Sequence, residues 1–284
     1  MTPEVDALVQ MLDLEPLEVD LFRGQSPPTS LQRVFGGQVA AQALAAAGRT
    51  VVPERGVHSL HAYFLRPGDP ARPILYDVER LREGRSFSTR RVLARQHGRP
   101  IFVMSASFQV SEPGLDHQDP LPDVPDPEGL PTMAELMAQG EPTRLERWWT
   151  EWAAFDLRVA DPEPQDPAAV SQIWLRTAQP LPDDPLLHSC VLTYVSDLTL
   201  LTVALGPHGR QVGEAGLQVA SLDHAMWFHR PFRADGWLLY DQRSPSASGA
   251  RGLATGRVFT REGTLAASVV QEGLIREHPG PGTG

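Results

Sequence analysis

A short motif occurs twice in this chain, first as FLRP at 64–67 and again as FHRP at 228–231. The surroundings of the two copies also correspond. Twelve residues after the first phenylalanine stands Tyr76, and twelve residues after the second stands Tyr240, each within the sequence Leu-Tyr-Asp. The segment SLHAYF leads into the first copy as SLDHAMWF leads into the second. The chain therefore contains an internal duplication with a long spacer, and two copies of one structural unit are expected.

Each copy is predicted to contain one helix and an antiparallel sheet. In the first copy an alanine-rich helix is entered through Gly36 and Gly37 and left at Gly48, and apolar, alternating segments from 57 to 110 predict strands. The second copy repeats this order, with Gln271 closing it as Gln109 closes the first. The predicted fold class is α+β, with a first half at 1–110, a linker at 111–154, a second half at 155–278 and a flexible tail at 279–284.

The linker has a different composition from the two halves. It is rich in proline and aspartate and shows little periodicity. A short helix is predicted in it from roughly Met133 to Glu151, with Trp148, Trp149 and Trp152 at its C-terminal end. These rings are expected to anchor the linker on a domain rather than to form a binding cage.

The composition argues against several functions. The chain of 284 residues has a formal net charge of −10, so nucleic-acid binding is not expected. All 25 basic residues are arginine, so phosphate contacts must come from arginine, histidine or backbone N–H groups. The one cysteine cannot form an intrachain disulfide, and a reducing, cytoplasmic compartment is expected. We find no signal-peptide pattern and expect no membrane-spanning run.

Asp197 is a carboxylate in an otherwise apolar segment, LTYVSDLTLLTVAL. The other residues on its helical face are uncharged: Cys190, Tyr194, Leu201 and Ala204. A carboxylate in such a place is partly buried, which is unfavourable unless it is paired or hydrogen-bonded. The structural alternative is that Ser196 and Asp197 cap a helix that begins at Leu198.

Two further polar side chains stand on predicted strands. Ser221 lies on a strand that begins near Leu217. Gln271 lies at the end of the run LAASVVQEG, on a strand face whose other members are Leu265, Ala267 and Val269. An amide at the end of an apolar face needs a hydrogen-bond partner.

A serine–histidine–aspartate triad is not expected at Ser221, Asp223 and His224. On a regular strand the first two face one side and His224 faces the other. The segment also lacks the G-x-S-x-G sequence that surrounds a nucleophilic serine in α/β-hydrolases. No histidine pair has metal-binding spacing, so we expect no metal site; the histidines considered are His58, His61, His224 and His229.

Six segments together resemble the acyl-CoA thioesterase II family: RVFGGQVAAQAL, HAYFLRPGDP, ILYDVERLREGRSFSTRRV, YVSDL, SLDHAMWFHRPF and SVVQEGLIR. The resemblance runs from about Leu8 to His278 and is poor in the linker. It implies a double hotdog fold, in which each of two tandem halves wraps an antiparallel sheet around a long helix. It also implies a catalytic set of Asp197, Ser221 and Gln271 around one water molecule.

The activity implied by the resemblance is hydrolysis of fatty acyl-CoA to a fatty acid and free CoA, without a cofactor. Two alternatives remain open. One is a hotdog enoyl-CoA hydratase or dehydratase, against which stands the lack of an Asp-x-x-x-x-His pairing at Asp197. The other is a non-catalytic acyl-CoA-binding module. A homo-oligomer is expected, because hotdog sheets usually associate edge to edge.

The remaining candidates are substrate-binding residues. The helix start at Gly36 and Gly37 offers N–H groups to a phosphate or a carbonyl, although close packing of glycine against a strand explains the pair equally well. His58 is expected near the mouth of the site. Arg90 and Arg91 are expected to meet the CoA phosphates.

Overall fold

The structure, a computed structural model, describes residues 3–138, 151–160 and 170–278. Its helices are α1 (Pro3–Leu12), α2 (Gly36–Gly48), α3 (Met133–Ala138) and α4 (Pro185–Thr199). Its strands are β1 (Glu15–Glu18), β2 (Leu21–Gly24), β3 (Arg55–Phe64), β4 (Ile74–Glu83), β5 (Phe87–Gln96), β6 (Arg99–Val110), β7 (Phe155–Val159), β8 (Val170–Thr177), β9 (Leu217–Ser221), β10 (Asp223–Phe228), β11 (Leu238–Ser248), β12 (Arg251–Thr260) and β13 (Leu265–Glu277). Short 3-10 turns at Leu200–Ala204 and Gly206–His208 follow α4.

The strands form one antiparallel sheet in the order β1-β2-β4-β5-β6-β3-β10-β13-β12-β11-β8-β7, and β9 pairs with β13 beside this path. Strands of the N-terminal segment (residues 3–110) occupy one side, and strands of the C-terminal segment (residues 155–278) the other. The segments join where β3 pairs with β10, with His61 opposite Ala225. Each of these residues stands three positions before the phenylalanine of its motif copy. Equivalent positions of the repeat therefore meet across the central strand pair.

Two long helices pack against each other on the inner face of the sheet. α2 is almost entirely buried, because its alanine and glycine residues are small and allow α4 and the sheet to approach closely. The closest crossing is at Gly37, where a Cβ atom would lie 2.2 Å from the backbone oxygen of Tyr194 in α4. The predicted bounds of α2 are confirmed. The alternative helix start at Leu198 is wrong, because α4 begins at Pro185.

The helical run Pro185–His208 is long and apolar enough to cross a membrane, with a mean hydropathy of 1.5 in its best window of 18 residues. The expectation that no run reaches this length was therefore wrong. Within this window, 78% is buried inside the protein. The run contains α4, which packs against α2 on the inner face of the sheet, and that position accounts for its apolar composition.

The described part of the linker packs against the C-terminal segment. Leu121, Val124 and Leu130 pack on a separate cluster that includes Trp174 and Phe259. The indole of Trp174 donates to the backbone oxygen of Pro125 at 2.9 Å. Arg261 forms ion pairs with Asp126 and Glu128, so both apolar and charged contacts hold the segment in place.

The predicted linker helix is only partly within the described residues. α3 ends at Ala138, and Trp148 and Trp149 lie outside the described residues. Trp152 packs edge-on against Phe35, with 4.7 Å between ring centroids. This contact fits the anchoring role expected for that tryptophan.

Candidate active site

Asp197 lies near the C-terminal end of α4 and is only 8% exposed. Its Oδ1 atom accepts a hydrogen bond from the Ser221 hydroxyl at 3.0 Å and a short one from the Gln271 amide. The backbone N–H of Gly37 also donates to its carboxylate. The structure thus brings together the three side chains predicted from the sequence, and adds a donor from the start of α2.

Two adjacent strands place Ser221 and Gln271. Ser221 is the last residue of β9 and lies opposite Gly273 of β13. Gln271 stands two positions before Gly273, and therefore on the same inward face of β13. A Cβ atom at Gly273 would lie 2.2 Å from a methyl carbon of Leu201, so glycine here lets β13 approach the end of α4 closely.

Burial sets the electrostatics of Asp197. Removal from solvent raises the pKa of its carboxyl from 3.8 to about 6, while hydrogen bonds from Gln271, Ser221 and Gly37 act in the opposite direction. At neutral pH the group is mostly ionised, yet it is a stronger base than an exposed aspartate. A carboxylate with such a pKa is suited to accept a proton from water.

The side-chain amide of Gln271 has a hydrogen-bonded nitrogen and an unpartnered oxygen. Its nitrogen donates to Asp197, whereas its oxygen, although buried, has no hydrogen-bond partner among the described residues. Buried amide oxygens nearly always have a partner. The oxygen is therefore an acceptor available to a ligand next to the Asp197 carboxylate.

The start of α2 closes this site from the other side. Its N-cap residue, Phe35, makes no side-chain capping hydrogen bond, so the first N–H groups of the helix are not satisfied locally. A Cβ atom at Gly36 would lie 2.6 Å from Oδ2 of Asp197 and 2.9 Å from the ring of Phe64. Glycine at this position is required for the carboxylate to approach the helix.

A buried pair behind Asp197 was not predicted from the sequence. The Nε2 atom of His224 lies 2.9 Å from the hydroxyl of Ser196, the residue before Asp197. The Tyr240 hydroxyl donates to the backbone oxygen of Ser196 at 3.1 Å. Complete burial lowers the pKa of His224 to about 4, so the ring is neutral. These contacts fix the turn of α4 that carries Asp197.

Ser221, Asp223 and His224 do not form a triad. They bond to three different partners: Ser221 to Asp197, the Asp223 carboxylate to the backbone N–H of Glu272 at 2.6 Å, and His224 to Ser196. The regular strand alternation expected from Ser221 to His224 is nevertheless absent. Leu222 separates β9 from β10, so Ser221 and His224 both face the interior.

Strand register also corrects the proposed equivalence of Gln109 and Gln271. The register that pairs Ala225 with Val270 brings His224 beside Gln271. His224 stands four residues before the second motif copy, as Leu60 does before the first, and Leu60 pairs with Ala106. Ala106 is therefore the counterpart of Gln271, whereas the amide of Gln109 lies at the surface near Glu112.

Two predicted substrate-binding residues lie elsewhere. His58 bonds to the Ser107 hydroxyl at 2.8 Å, six residues along β3 from Phe64, or ~20 Å from the active-site end of that strand. Arg90 is fully buried, and its guanidinium binds Thr50, Glu83 and the backbone oxygen of Arg82. The predicted role of Arg90 is wrong, because its donors are occupied inside the protein. The role suggested for His58 stays a prediction.

Arg91 follows Arg90 on β5 and faces the opposite side of the sheet. Its side chain is 53% exposed and lies 3.9 Å from Glu79. The CoA contact suggested for Arg91 stays a prediction. Within residues 3–138, 151–160 and 170–278, no group of three or more His, Cys, Asp or Glu side chains is arranged to hold a metal ion.

Comparisons with known proteins agree on the family. Residues 25–109 match the family of acyl-CoA thioesterase N-terminal domains, and residues 161–274 match the acyl-CoA thioesterase family. Acyl-coenzyme A thioesterase 8 of Homo sapiens is 43% identical over 95% of this chain and 88% of its own. Acyl-CoA thioesterase 2 of Haemophilus influenzae is 41% identical over 97% of this chain and 99% of its own.

Solved structures give the same result. The crystal structure of an acyl-CoA thioesterase II from Mycobacterium marinum is 49% identical, with a TM-score of 0.81 over 97% of this chain and 98% of that one. A hot dog fold protein from Alicyclobacillus acidocaldarius shares only the fold, with 20% identity and a TM-score of 0.79 over 98% of this chain and all of that one. The protein has the hotdog fold, belongs to the acyl-CoA thioesterase family and is a thioester hydrolase.

Proposed function

We propose that the protein hydrolyses fatty acyl-CoA with Asp197 as the general base, and that Ser221 and Gln271 hold the attacking water. One observation carries this assignment: a buried carboxylate with a raised pKa receives hydrogen bonds from Ser221, Gln271 and the N–H of Gly37. The unpartnered oxygen of Gln271 supplies the acceptor that such a water needs.

The chemistry requires one proton to move twice. Asp197 takes a proton from the water as the water oxygen bonds to the thioester carbonyl carbon. The tetrahedral intermediate then collapses, the carbon–sulfur bond breaks, and the proton on Asp197 passes to the departing sulfur. The products are a fatty acid and free CoA, and the carboxylate is regenerated. General-base help of this kind contributes a factor of roughly 10²–10⁴ to the rate.

The start of α2 stabilises the developing oxyanion in this proposal. The first N–H groups of a helix have no intrahelical partner, and the N-terminal end of the helix dipole is positive. Gly37 donates to Asp197, which leaves the adjacent N–H of Gly36 for the thioester oxygen. Fixed donors that point at developing charge are among the largest contributions to catalysis.

A hydratase or dehydratase function is not favoured. Such a reaction would pair the aspartate with a histidine, whereas the described side chains that bond to Asp197 are Ser221 and Gln271. The nearby His224 is bonded to Ser196. Dehydratase domains share the fold with this chain at 13% identity, which supports no transfer of activity.

We further propose that the chain is a double hotdog, with halves at 1–110 and 155–278 joined by the linker at 111–154. The support is the repeat together with the meeting of His61 and Ala225 at equivalent positions. We also propose a cytoplasmic homo-oligomer. Tyr63 and Leu65 are exposed near the junction of the two segments, where they offer apolar surface to another copy.

The function is tested by measuring free-CoA release from a series of acyl-CoAs of increasing chain length, beside hydration of an enoyl-CoA. Thiol release at a rate far above the enzyme-free rate, with no hydration, is the expected result. Hydration without thiol release would contradict the proposal, and binding without either reaction would leave only the non-catalytic alternative.

A further inference from the structure

A groove of about 570 Å³ opens between two segments that both lead to the site. One wall is formed by Leu31, Gln32 and Arg33, and the other by the outer part of β9 from Leu217 to Val219. The groove is polar as well as apolar, since Gln218 and His278 also line it. A groove with mixed walls fits an extended ligand that carries both amides and methylene groups.

Both walls continue along the chain to residues of the candidate active site. Arg33 stands four residues before Gly37, whose N–H donates to Asp197. Leu217 stands four residues before Ser221, and Leu217, Val219 and Ser221 share one face of β9. Four residues of strand span ~13 Å. The groove therefore follows a path of about that length away from the reacting carbon.

We propose that this groove binds the pantetheine arm of CoA and that Arg33 binds the phosphates at its end. From sulfur to the first phosphorus the arm has as many backbone bonds as about four peptide residues, or ~15 Å when extended. That length matches the path from Ser221 to the open end of β9. The inference rests on the proposed function only in taking acyl-CoA as the substrate.

Charge supports the choice of Arg33. Its side chain is exposed and makes no ion pair or hydrogen bond with any described residue. By contrast, Arg210 pairs with Glu214 at 3.0 Å and with Glu277 at 3.5 Å. The chain carries a net charge of −10, so a polyanionic ligand needs a free cation where it binds. A guanidinium without a partner among the described residues suits phosphate oxygens.

The test is Arg33→Gln, which removes the charge and keeps a polar side chain at an exposed position. We expect KM for acyl-CoA to rise about tenfold while kcat changes less than about twofold, because the phosphates are remote from the reacting carbon. Hydrolysis of an acyl-pantetheine thioester, which lacks the nucleotide, should not change. The matched control is Arg99→Gln, an exposed arginine at the start of β6, which should leave both substrates unaffected.

Calorimetric binding of free CoA separates this inference from the catalytic proposal, because it needs no chemistry. Weaker CoA binding by Arg33→Gln, with Arg99→Gln equal to wild type, supports the groove. If the wild type is active and binds CoA but Arg33→Gln binds it equally well, the groove assignment is wrong and the catalytic proposal stands. Equal loss on both substrates, or a tenfold rise in KM for Arg91→Gln alone, would also overturn it. Failure of the wild type to bind or hydrolyse acyl-CoA would contradict both the groove assignment and the catalytic proposal.

Discussion

The two central helices run antiparallel, so each helix begins beside the end of the other, but the two junctions are built differently. At one junction Gly36 and Gly37 of α2 meet Asp197 of α4. At the other, a Cβ atom at Gly48 of α2 would lie 2.5 Å from the side chain of Leu186 in α4. The first junction is polar and the second is apolar at the point of contact.

The helix starts explain part of this difference. α4 is capped by its own sequence: the Asp184 carboxylate accepts the N–H of Leu186 at 2.9 Å, and Pro185 has no N–H to satisfy. α2 has no capping side chain, and a carboxylate from the other helix takes that place. The start of α2 can therefore take part in the function, because the carboxylate of Asp197 in α4 replaces the missing capping side chain.

The strand residues beside the two junctions also differ in their hydrogen-bonding groups. Gln271 faces Asp197 from β13, whereas its counterpart Ala106 offers no hydrogen-bonding group. Beside the end of α2 the buried guanidinium of Arg90 binds the hydroxyl and the backbone oxygen of Thr50. One junction therefore holds a buried carboxylate with a free acceptor, the Gln271 oxygen, near it, and the other is filled by a charge whose donors are all used within the protein. We infer one active site per chain.

The largest effect on activity is expected from Asp197→Asn, which tests whether the first junction is the catalytic one. The change keeps the shape of the side chain and removes only the base, so kcat should fall by a factor of roughly 10³, within the range for general-base catalysis. The readout is steady-state thiol release by protein whose circular dichroism matches wild type. The matched control is Asp223→Asn, which retains an acceptor for the N–H of Glu272 and should keep most activity. More than about a tenth of wild-type kcat in Asp197→Asn would exclude the general-base role.

Removal of a single donor at the active junction should have a smaller effect. Hydrogen bonds to a charged group are worth about 1.5–3 kcal/mol, so Gln271→Ala and Ser221→Ala should each lower kcat by about 10- to 100-fold. Ser221→Thr keeps the hydroxyl and serves as the control. Pre-steady-state kinetics should show no burst of thiol, because in the proposed mechanism water rather than Ser221 attacks the thioester. A stoichiometric burst, or an acyl adduct on Ser221 in the mass spectrum, would replace water attack by a serine nucleophile.

Activity and stability should also depend on pH through the carboxyl group of Asp197. Because the pKa of Asp197 is about 6, kcat/KM should fall about tenfold for each pH unit below 6. The folded-state pKa lies above the ordinary value of 3.8, so protonation of Asp197 favours the fold below about pH 4, and this advantage is lost as pH rises through 6. Asp197→Asn does not titrate and should be more stable than wild type at pH 8 by about 3 kcal/mol. Urea unfolding at pH 4 and pH 8 checks the sign, and equal differences at both values would refute it.

Much of the active junction was predictable, because Asp197, Ser221 and Gln271 each interrupt an apolar pattern and lie in motifs of a recognisable family. Arg90 was also predictable: on β5 it shares the face of Val92 and Ala94, and strand alternation places it inside. His224 was not, because its orientation depends on the break at Leu222. The Arg33 groove depends on tertiary packing of distant segments, which no local pattern reveals.

The smallest effect on activity is expected from Arg90→Met, which tests whether the second junction is purely structural. The guanidinium is buried, and its partner Glu83 is half-exposed, with a pKa lowered to about 2 by hydrogen bonds from Ser88 and Arg90. Loss of the buried donors leaves the backbone oxygen of Thr50 without the hydrogen bond from Arg90, which costs about 1–3 kcal/mol of folding free energy. We expect kcat to stay within about twofold of wild type while the urea midpoint falls, since no described contact of Arg90 reaches Asp197.

The control is Arg95→Met, on the exposed face of the same strand, which should change stability by less than about 0.5 kcal/mol. Loss of hydrolysis in Arg90→Met under conditions where the protein remains folded would show that the two junctions are coupled through α2, and the division between a structural end and a catalytic end would not hold.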